Sequence, residues 1–295
     1  MATSVRTREI PLIDACGTKT VYTLESDGPA GIFAVAARGI FAGHMREVAR
    51  DPNPEPPLLE GAVMRLIGFK ICPYVQRVVI LLHEKDLRYT LEYIDPYGNR
   101  PDNFHRISPL GKVPVLDIGN DQHLFESAVI LEYLDEIKKP PLLPTPPAAR
   151  ARHRSWIVYA SSVQALLARL ATVRDEHVFN ETQAAVGDHL ARLELELRDG
   201  PFFSGRHFSL VDAVFAPVLV NIDFLESLHR FGFLRGLRKI SAWREHLLVR
   251  PSVKAAVHAE YADLMSEFVI RQKGCLAVHA ATPRGGQLTS GAIRG

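Results

Sequence analysis

The 295-residue sequence is poor in cysteine and has no marked excess of charge of either sign. Its three cysteines, Cys16, Cys72 and Cys275, show no close spacing, which argues against a disulfide scaffold and against a zinc site. The 35 basic residues nearly balance the 33 acidic ones, so the net charge of +2 gives no electrostatic reason to expect a nucleic-acid partner. We therefore expect no metal and a reducing, cytoplasmic location.

Long apolar runs are missing as well. The longest stretch of small apolar residues, 31–43, is interrupted by Arg38 and is too short and too glycine-rich to cross a bilayer, so no membrane partner is expected. The first nine residues are polar and no apolar segment follows them directly, which argues against a secretory signal. Hydrophobic residues nevertheless make up 47% of the chain, enough to bury a core in one large or two ordinary domains.

Proline clusters at 51–57 and 140–147 divide the chain. Proline fixes φ and lacks an N–H donor, so the first cluster predicts an extended linker. Residues 1–63 form an N-terminal extension, for which three interpretations stay open: a disordered segment, a start assigned too early, with translation from Met64, or a genuine segment that packs or targets. Residues 273–295 become glycine-rich and weakly basic, which predicts a disordered tail.

Between the two proline clusters, strand patterns alternate with helix patterns. The apolar run 64–69 predicts a buried strand, and 73–84 predicts a helix because proline stands first and the apolar residues share one face. Further strand patterns follow at 88–94, 111–116 and 122–125. With a last helix opening at Glu126, the order β-α-β-α-β-β-α predicts an α/β layer fold.

After the second proline cluster the pattern becomes helical. Apolar residues recur at helical spacing in the segments 150–172, 182–198, 210–229 and 240–249. Because no convincing strand pattern follows Ser127, the second half predicts an all-helical domain. Within it, Ser209 and Asp212 fit a helix capping box, to which we assign a structural role.

Cys72 lies between the end of a predicted strand and a predicted helix that begins at Pro73. Unpaired N–H groups and the helix dipole favour an anion there, so we expect a lowered pKa for this thiol and a nucleophilic thiolate. Val75 occupies the place of a second cysteine in a Cys-x-x-Cys motif, which excludes a dithiol cycle at this site. A small thiol such as glutathione fits as the resolving partner. The plainer alternative is that Cys72 is only a small buried residue.

Three motifs, in order, resemble those of the cytosolic glutathione transferases. Residues 72–77, Cys-Pro-Tyr-Val-Gln-Arg, are similar to the Cys-Pro-Phe/Tyr-x-x-Arg motif of the omega-like branch. Residues 111–116, Gly-Lys-Val-Pro-Val-Leu, resemble the loop before the third strand of the family. Residues 126–134 resemble its Glu-Ser-x-x-Ile-x-x-Tyr-Leu helix start. The resemblance runs from Met64 to Arg271.

The resemblance implies an α/β + all-α architecture. A thioredoxin-like, glutathione-binding domain would span residues 64–139, and an all-helical substrate domain would span 148–272. The family also implies that two chains associate as a homodimer. Glutathione would be the co-substrate, and no metal would take part.

The resemblance also implies a role for individual residues. Cys72 would be the catalytic nucleophile. Pro114 would follow a cis peptide bond, and the backbone of Val113 would pair with glutathione as an added strand does. Ser127 would bind the γ-glutamyl carboxylate of glutathione and Glu126 its α-amino group. The plainer alternatives are an ordinary strand start at the proline and an ordinary helix cap at the serine.

Other residues are candidates on weaker grounds. Arg100 and Lys112 lie where omega-like proteins bind the glycyl carboxylate, and Tyr74 adjoins the nucleophile, where it would wall the site or simply pack. Since the first helix of the second domain faces the thiol in this family, Trp156 and Tyr159 are candidates for the wall of the acceptor-substrate pocket. Solvated surface charge is the alternative for the two basic residues, and core packing for the two aromatic ones of that helix.

The leading interpretation of the whole chain is an enzyme that uses glutathione in detoxification. Two chemistries stay open: thiol transfer to or from a disulfide, and conjugation of glutathione to a small hydrophobic electrophile. A cysteine nucleophile favours the first, with reductase, thioltransferase, dehalogenase or ether-cleaving roles. The alternative is a non-catalytic binding or chaperone-type subunit. A chloride channel-like protein is disfavoured because charges crowd residues 83–88 and oppose membrane insertion.

Overall fold

The structure is a computed structural model that describes residues 6–13, 19–26, 63–98, 101 and 104–281. The chain divides into two units, Met1–Pro56 and Pro57–Gly295. In the first unit, strands β1 (Arg6–Ile13) and β2 (Lys19–Ser26) pair in an antiparallel two-stranded sheet. The rest of the N-terminal extension, residues 282–295 of the predicted tail and the choice of start at Met64 lie outside what the structure describes.

The second unit opens with a four-stranded mixed sheet. Its strands are β3 (Met64–Gly68), β4 (Tyr89–Tyr93), β5 (Val115–Gly119) and β6 (Gln122–Phe125). In space they follow the order β4-β3-β5-β6, with β3 parallel to β4 and antiparallel to β5, and β5 antiparallel to β6. This is a thioredoxin-like sheet, as predicted.

Three helices connect or follow these strands. They are α1 (Pro73–Glu84), α2 (Phe104–Ile107) and α3 (Ser127–Ile137). Parallel strands need a crossover connection, and α1 supplies it between β3 and β4. The element order therefore confirms the predicted β-α-β-α-β-β-α pattern.

Helix α1 is buried along most of its length. Proline at its first position suits the helix start, because the missing N–H would have no intrahelical partner there. Residues 75–82 are all buried, since α1 packs between the sheet on one side and the helical domain on the other. The helix contacts α3 of its own domain. A helix enclosed in this way fixes the position of the residue that caps it, Cys72.

The remaining helices form the all-helical domain that the sequence predicts. They are α4 (Pro147–Thr172), α5 (Glu176–Glu196), α6 (Leu210–Leu228), α7 (Arg238–Leu248), α8 (Pro251–Ala256), α9 (Tyr261–Gln272) and α10 (Cys275–Ala281). Helices α4 and α6 are the main packing partners inside this domain, and α6 and α8 also pack against α1. The domain thus rests directly on the helix that follows the cysteine.

Helix α10 corrects the predicted C-terminal tail. The sequence predicts disorder from residue 273 onward, but Cys275–Ala281 is helical and packs on α4 and α9. Leu276 is fully buried, and the N–H of Cys275 donates to the carbonyl of Val173 at 2.8 Å. Burial of this apolar side chain stabilises the helix, although the composition of the surrounding residues resembles that of a disordered tail.

The predicted capping box at the start of α6 is confirmed. The side chain of Asp212 is fully buried and accepts hydrogen bonds from the N–H of Ser209 at 2.8 Å and from the indole N–H of Trp243 at 2.7 Å. It also accepts from the N–H of Phe203 at 2.8 Å. One carboxylate therefore fastens α6 both to α7 and to the loop before it, which supports a structural role.

A buried ion pair fixes the linker between the two domains. The ammonium of Lys85 lies 2.6 Å from a carboxylate oxygen of Asp135 and donates to the carbonyl of Lys138 at 2.8 Å. Asp135 in turn accepts from the N–H groups of Leu142 and Leu143 at 2.7 and 3.0 Å. Both charged side chains are almost completely buried. The pair thus joins the ends of α1 and α3 to the second proline cluster.

We predict that Asp135→Ala destabilises the protein strongly, because it leaves the buried ammonium of Lys85 without its partner. Removing one member of a buried pair costs about 3–5 kcal/mol. Urea denaturation measures the free energy of unfolding. The matched control is Glu267→Ala, which breaks an exposed ion pair with Arg271 and should cost at most about 1 kcal/mol. Equal losses in the two variants would contradict the prediction.

Candidate functional site

A cavity of about 330 Å³ lies where α1, the loop before β5, the start of α3 and the helix α4 come together. Its lining residues are Tyr74, Ser108, Leu110, Lys112, Val113, Pro114, Phe125, Glu126, Ser127, Ala128 and Ser161. They include six of the seven residues that the sequence predicts to contact glutathione. The seventh, Arg100, lies outside the described residues. Ser108, Leu110, Phe125 and Ser161 lie outside the three motifs, and Ala128 lies within the third but had no role assigned to it.

Cys72 caps α1 beside this cavity. Its backbone is extended, with φ −76° and ψ 117°, and its carbonyl accepts from the N–H groups of Val75 and Gln76, both at 3.0 Å. Its own N–H donates to the carbonyl of Phe69 at 3.1 Å. The residue is partly buried and is not among those that line the cavity, although Tyr74, two positions later, is. Cys72 therefore adjoins the cavity through the first turn of α1 without lining it.

The thiol of Cys72 does not have the low pKa that the sequence suggests. Burial raises the pKa of the Cys72 thiol, and this effect exceeds the opposing influence of the N–H groups of Val75 and Tyr74 and of the charge on Arg77. The prediction of a lowered pKa is thus wrong. The helix starts where the sequence predicts it, but the core residues packed around Cys72 enclose its sulfur, and the local motif does not encode this packing.

The loop before β5 holds its shape through a buried serine. The hydroxyl of Ser108 accepts from the N–H of Lys112 at 2.9 Å and donates to the carbonyl of the same residue at 2.7 Å. The Val113–Pro114 bond is cis, as the resemblance implies, and both residues lie just outside the β5 ladder. The backbone of Val113 therefore borders the cavity instead of continuing the sheet.

The junction of β6 and α3 contributes the polar end of the cavity. Glu126 has φ +67°, in the left-handed region that non-glycine residues seldom adopt and that clusters at functional sites. Ser127 follows as the first residue of α3 and is buried. The first N–H groups of a helix have no intrahelical partners, so this corner of the cavity suits a carboxylate.

Helix α4 reaches the cavity with a different face from the one expected. Trp156 and Tyr159 stack on each other, with ring centroids 4.8 Å apart, and the hydroxyl of Tyr159 donates to the carbonyl of His189 in α5 at 3.1 Å. Neither lines the cavity, whereas Ser161 does. Successive helical residues turn by about 100°, so Ser161 points away from the two rings. The expected helix is correct, but Tyr159 packs against α5 and Trp156 packs against Tyr159 and against Phe203, in the loop between α5 and α6.

A second, apolar cleft of about 270 Å³ is bordered by the loop between β3 and α1, residues 69–72. Phe69, Lys70 and Ile71 of this loop form one wall. The opposite walls come from the end of β4 and the residues after it, which include Tyr93 and Tyr97, and from α9. Because Ile71 immediately precedes the cysteine, an apolar molecule in this cleft would lie next to the residue that carries the thiol.

Within the described ranges, no group of three or more His, Cys, Asp or Glu side chains is placed to hold a metal ion. None of the helices that the structure describes combines the length and the apolar character needed to cross a bilayer.

Comparison with known proteins supports the resemblance in both domains. The family model of the glutathione S-transferase N-terminal domain matches residues 71–137, and that of the C-terminal domain matches residues 149–246. Glutathione S-transferase omega-1 of Sus scrofa is 29% identical over 227 residues, covering 75% of this chain and 91% of its own. The probable glutathione S-transferase DHAR1, cytosolic, of Oryza sativa subsp. japonica is 32% identical over 184 residues, covering 61% and 81%.

A solved structure shows the same fold. Glutathione transferase Omega 3C from Trametes versicolor superposes with a TM-score of 0.59 and 29% sequence identity, covering 65% of this chain and 88% of its own. The predicted resemblance to omega-like transferases, with a thioredoxin-like domain followed by a helical one, is thereby confirmed.

The raised pKa of Cys72 leads to a testable pH dependence. Only the thiolate reacts with iodoacetamide. We therefore expect alkylation of Cys72 to keep accelerating as the pH rises above about 8.5, the ordinary pKa of a free cysteine thiol. Peptide mass spectrometry after short exposures at each pH measures the rate, with Cys72→Ser as the blank. A rate that is already constant from pH 6 upward would show that the helix start dominates and would contradict the expectation.

Proposed function

Because the chain belongs to the glutathione S-transferase family, we propose that this glutathione transferase is a thiol transferase with Cys72 as its nucleophile. One observation carries the proposal: the residues predicted from three separate motifs line a single cavity beside the helix start that Cys72 caps. A chain that served only as a non-catalytic binding or chaperone-type subunit would have no need to combine this cavity with the thiol.

The cavity suggests how glutathione binds. Ser127 and the free N–H groups at the start of α3 would hold the γ-glutamyl carboxylate, and Glu126 its α-amino group. The backbone of Val113 would pair with the extended peptide. Lys112, which is exposed at the far end of the lining, would face the glycyl carboxylate. This order directs the thiol of glutathione toward the start of α1.

The proposed reaction proceeds in two thiol–disulfide exchanges. The Cys72 thiolate attacks the glutathione sulfur of a mixed disulfide. The S–S bond breaks, and the other half of the mixed disulfide leaves as a thiolate that takes up a proton. Cys72 is then itself joined to glutathione. The thiolate of a second glutathione attacks the glutathione sulfur of this adduct, which forms glutathione disulfide and returns the electron pair to Cys72.

The substrate other than free glutathione is a disulfide in thiol transfer and a small hydrophobic electrophile in conjugation. The apolar cleft beside Ile71 would accept its non-glutathione portion, because the walls include Phe69, Tyr93 and Tyr97. Conjugation of glutathione to a small hydrophobic electrophile is the second candidate, and the same cleft favours it. A homodimer and a cytoplasmic location complete the proposal; a relative named as cytosolic supports the latter.

Removal of the thiol separates these chemistries. We predict that Cys72→Ser loses transfer of glutathione from a glutathionylated peptide, because serine cannot form the mixed disulfide. Retention on immobilised glutathione should persist, since the cavity residues remain. Undiminished transfer by Cys72→Ser would contradict the proposal, whereas a gain of conjugating activity in this variant would identify thiol transfer as the native chemistry.

Removal of the hydroxyl at the start of α3 tests the binding pose. We predict that Ser127→Ala raises KM for glutathione about tenfold or more with little change in kcat, because a hydrogen bond to a charged group contributes about 1.5–3 kcal/mol. The matched control is Ser266→Ala on α9, whose hydroxyl only bonds the carbonyl of Ala262. Steady-state kinetics at varied glutathione measures both, and an equal KM in the two variants would overturn the pose.

A further inference from the structure

Arg77 is a fully buried arginine whose charge is not matched by a carboxylate among the described residues. One terminal nitrogen, Nη1, donates to the hydroxyl of Ser161 in α4 at 3.0 Å. The other nitrogens, Nε and Nη2, are buried and have no hydrogen-bond partner in the described part of the chain. A buried charge in this condition costs several kcal/mol. An anionic partner close to the guanidinium would offset that cost.

The direction of the side chain indicates that partner. Side chains on a helix lean toward its N-terminus, over the preceding turn. The guanidinium of Arg77 follows this rule: it lies over the ring of Tyr74, three residues earlier, with its central carbon 4.7 Å from the ring centroid. This places the positive charge above the first turn of α1, the turn that Cys72 caps.

We propose that Arg77 is a positioning residue that supplies the buried countercharge for the Cys72 thiolate, held in place by Ser161 and by the ring of Tyr74. The proposal rests on the proposed function in taking Cys72 as the nucleophile. It goes beyond that function by assigning the task of stabilising the ionised sulfur to one arginine, which does not touch the cavity.

The electrostatics of the site agree with this assignment. Burial lowers the pKa of Arg77 to about 10, while Cys72 and Tyr74 act to raise it, so the guanidinium stays charged at neutral pH. Arg77 is also the side-chain charge that opposes the effect of burial on the pKa of Cys72. Burial raises the pKa of Tyr74 too, and the charge of Arg77 opposes that effect as it does at the thiol.

Charges on the elements packed against α1 have other partners or act elsewhere. At the start of α3, Glu126 acts on Tyr74. On α8, Arg250 is bound by Glu84 at 2.6 Å. The ammonium of Lys85, at the far end of α1, is paired with Asp135. On α6, Asp212 accepts from Ser209, Phe203 and Trp243, and Asp223 is bound by Arg244 at 2.5 Å. Among the described side chains, Arg77 is therefore the charged group that acts on the thiol of Cys72.

The arrangement would assist the second exchange of the proposed reaction. When Cys72 is joined to glutathione, its sulfur is neutral and the buried charge of Arg77 lacks its counterion. Attack by a second glutathione breaks the S–S bond and returns a negative charge to Cys72. Since a thiolate that is better stabilised leaves faster, Arg77 favours release of the mixed disulfide.

The experiment measures ionisation of Cys72 directly, without glutathione. Iodoacetamide alkylation is followed by mass spectrometry across the pH range in the native protein and in Arg77→Met. We expect the midpoint of the pH profile to rise by one unit or more in the variant, which corresponds to an approximately tenfold slower reaction near neutral pH. The limiting rate at high pH should stay the same. An unchanged midpoint would overturn the proposal.

Two matched variants separate charge from shape. Arg77→Lys keeps the positive charge and should keep the midpoint close to that of the native protein. Ser161→Ala removes the hydrogen bond from α4 and should raise the midpoint by a smaller amount. If Arg77→Met does not fold, these two variants decide: no rise in Ser161→Ala together with a raised midpoint in Arg77→Lys, which keeps the charge, would overturn the proposal.

Thermal unfolding distinguishes a purely structural role of Arg77 from the proposed stabilisation of the Cys72 thiolate. Replacing an uncompensated buried charge with a hydrophobic residue is often neutral or stabilising, so Arg77→Met should unfold at the same temperature as the native protein or higher. A lower unfolding temperature with an unchanged alkylation midpoint would show that the arginine only supports the fold. Because alkylation requires no glutathione, a shifted midpoint without any thiol transfer activity would refute the proposed function and leave this inference intact.

Discussion

The burial of helix α1 between the sheet and the helical domain is the constraint on which the site depends. It fixes the helix start, and with it Cys72, against the cavity formed by the loop before β5 and the start of α3. The ion pair of Lys85 with Asp135 holds the opposite end of α1 to the interdomain linker. Both ends of one helix are thus anchored. The thiol therefore keeps a fixed position relative to the residues proposed to bind glutathione.

The same burial has an electrostatic consequence. A helix start favours an anion, but a sulfur enclosed by packed helices loses the solvation that an anion needs. For Cys72 the second effect is the larger. The charge of Arg77, which is fully buried and lies over the ring of Tyr74, opposes it. In this account the reactivity of the thiol is set by the balance between enclosure and one buried cation, rather than by the helix start alone.

Features encoded locally could be predicted from the sequence, and features set by packing could not. The strands, the helix that starts at Pro73 and the cavity residues around Pro114 and Ser127 each follow from short motifs. The face that α4 turns to the cavity does not, because an aromatic stripe looks the same whether it meets a ligand or α5. The predictions of a disordered tail at α10 and of a lowered pKa for Cys72 are wrong for a related reason. Both features depend on burial by segments that are distant in sequence.

The most direct test of the account is the chemical state of Cys72 after exposure to glutathione disulfide. The native protein is incubated with it, alkylated, digested and examined by peptide mass spectrometry. The account predicts one glutathione adduct, on the peptide that contains Cys72, which disappears when excess reduced glutathione is added. An adduct confined to Cys16 or Cys275, or no adduct on any cysteine, would contradict it.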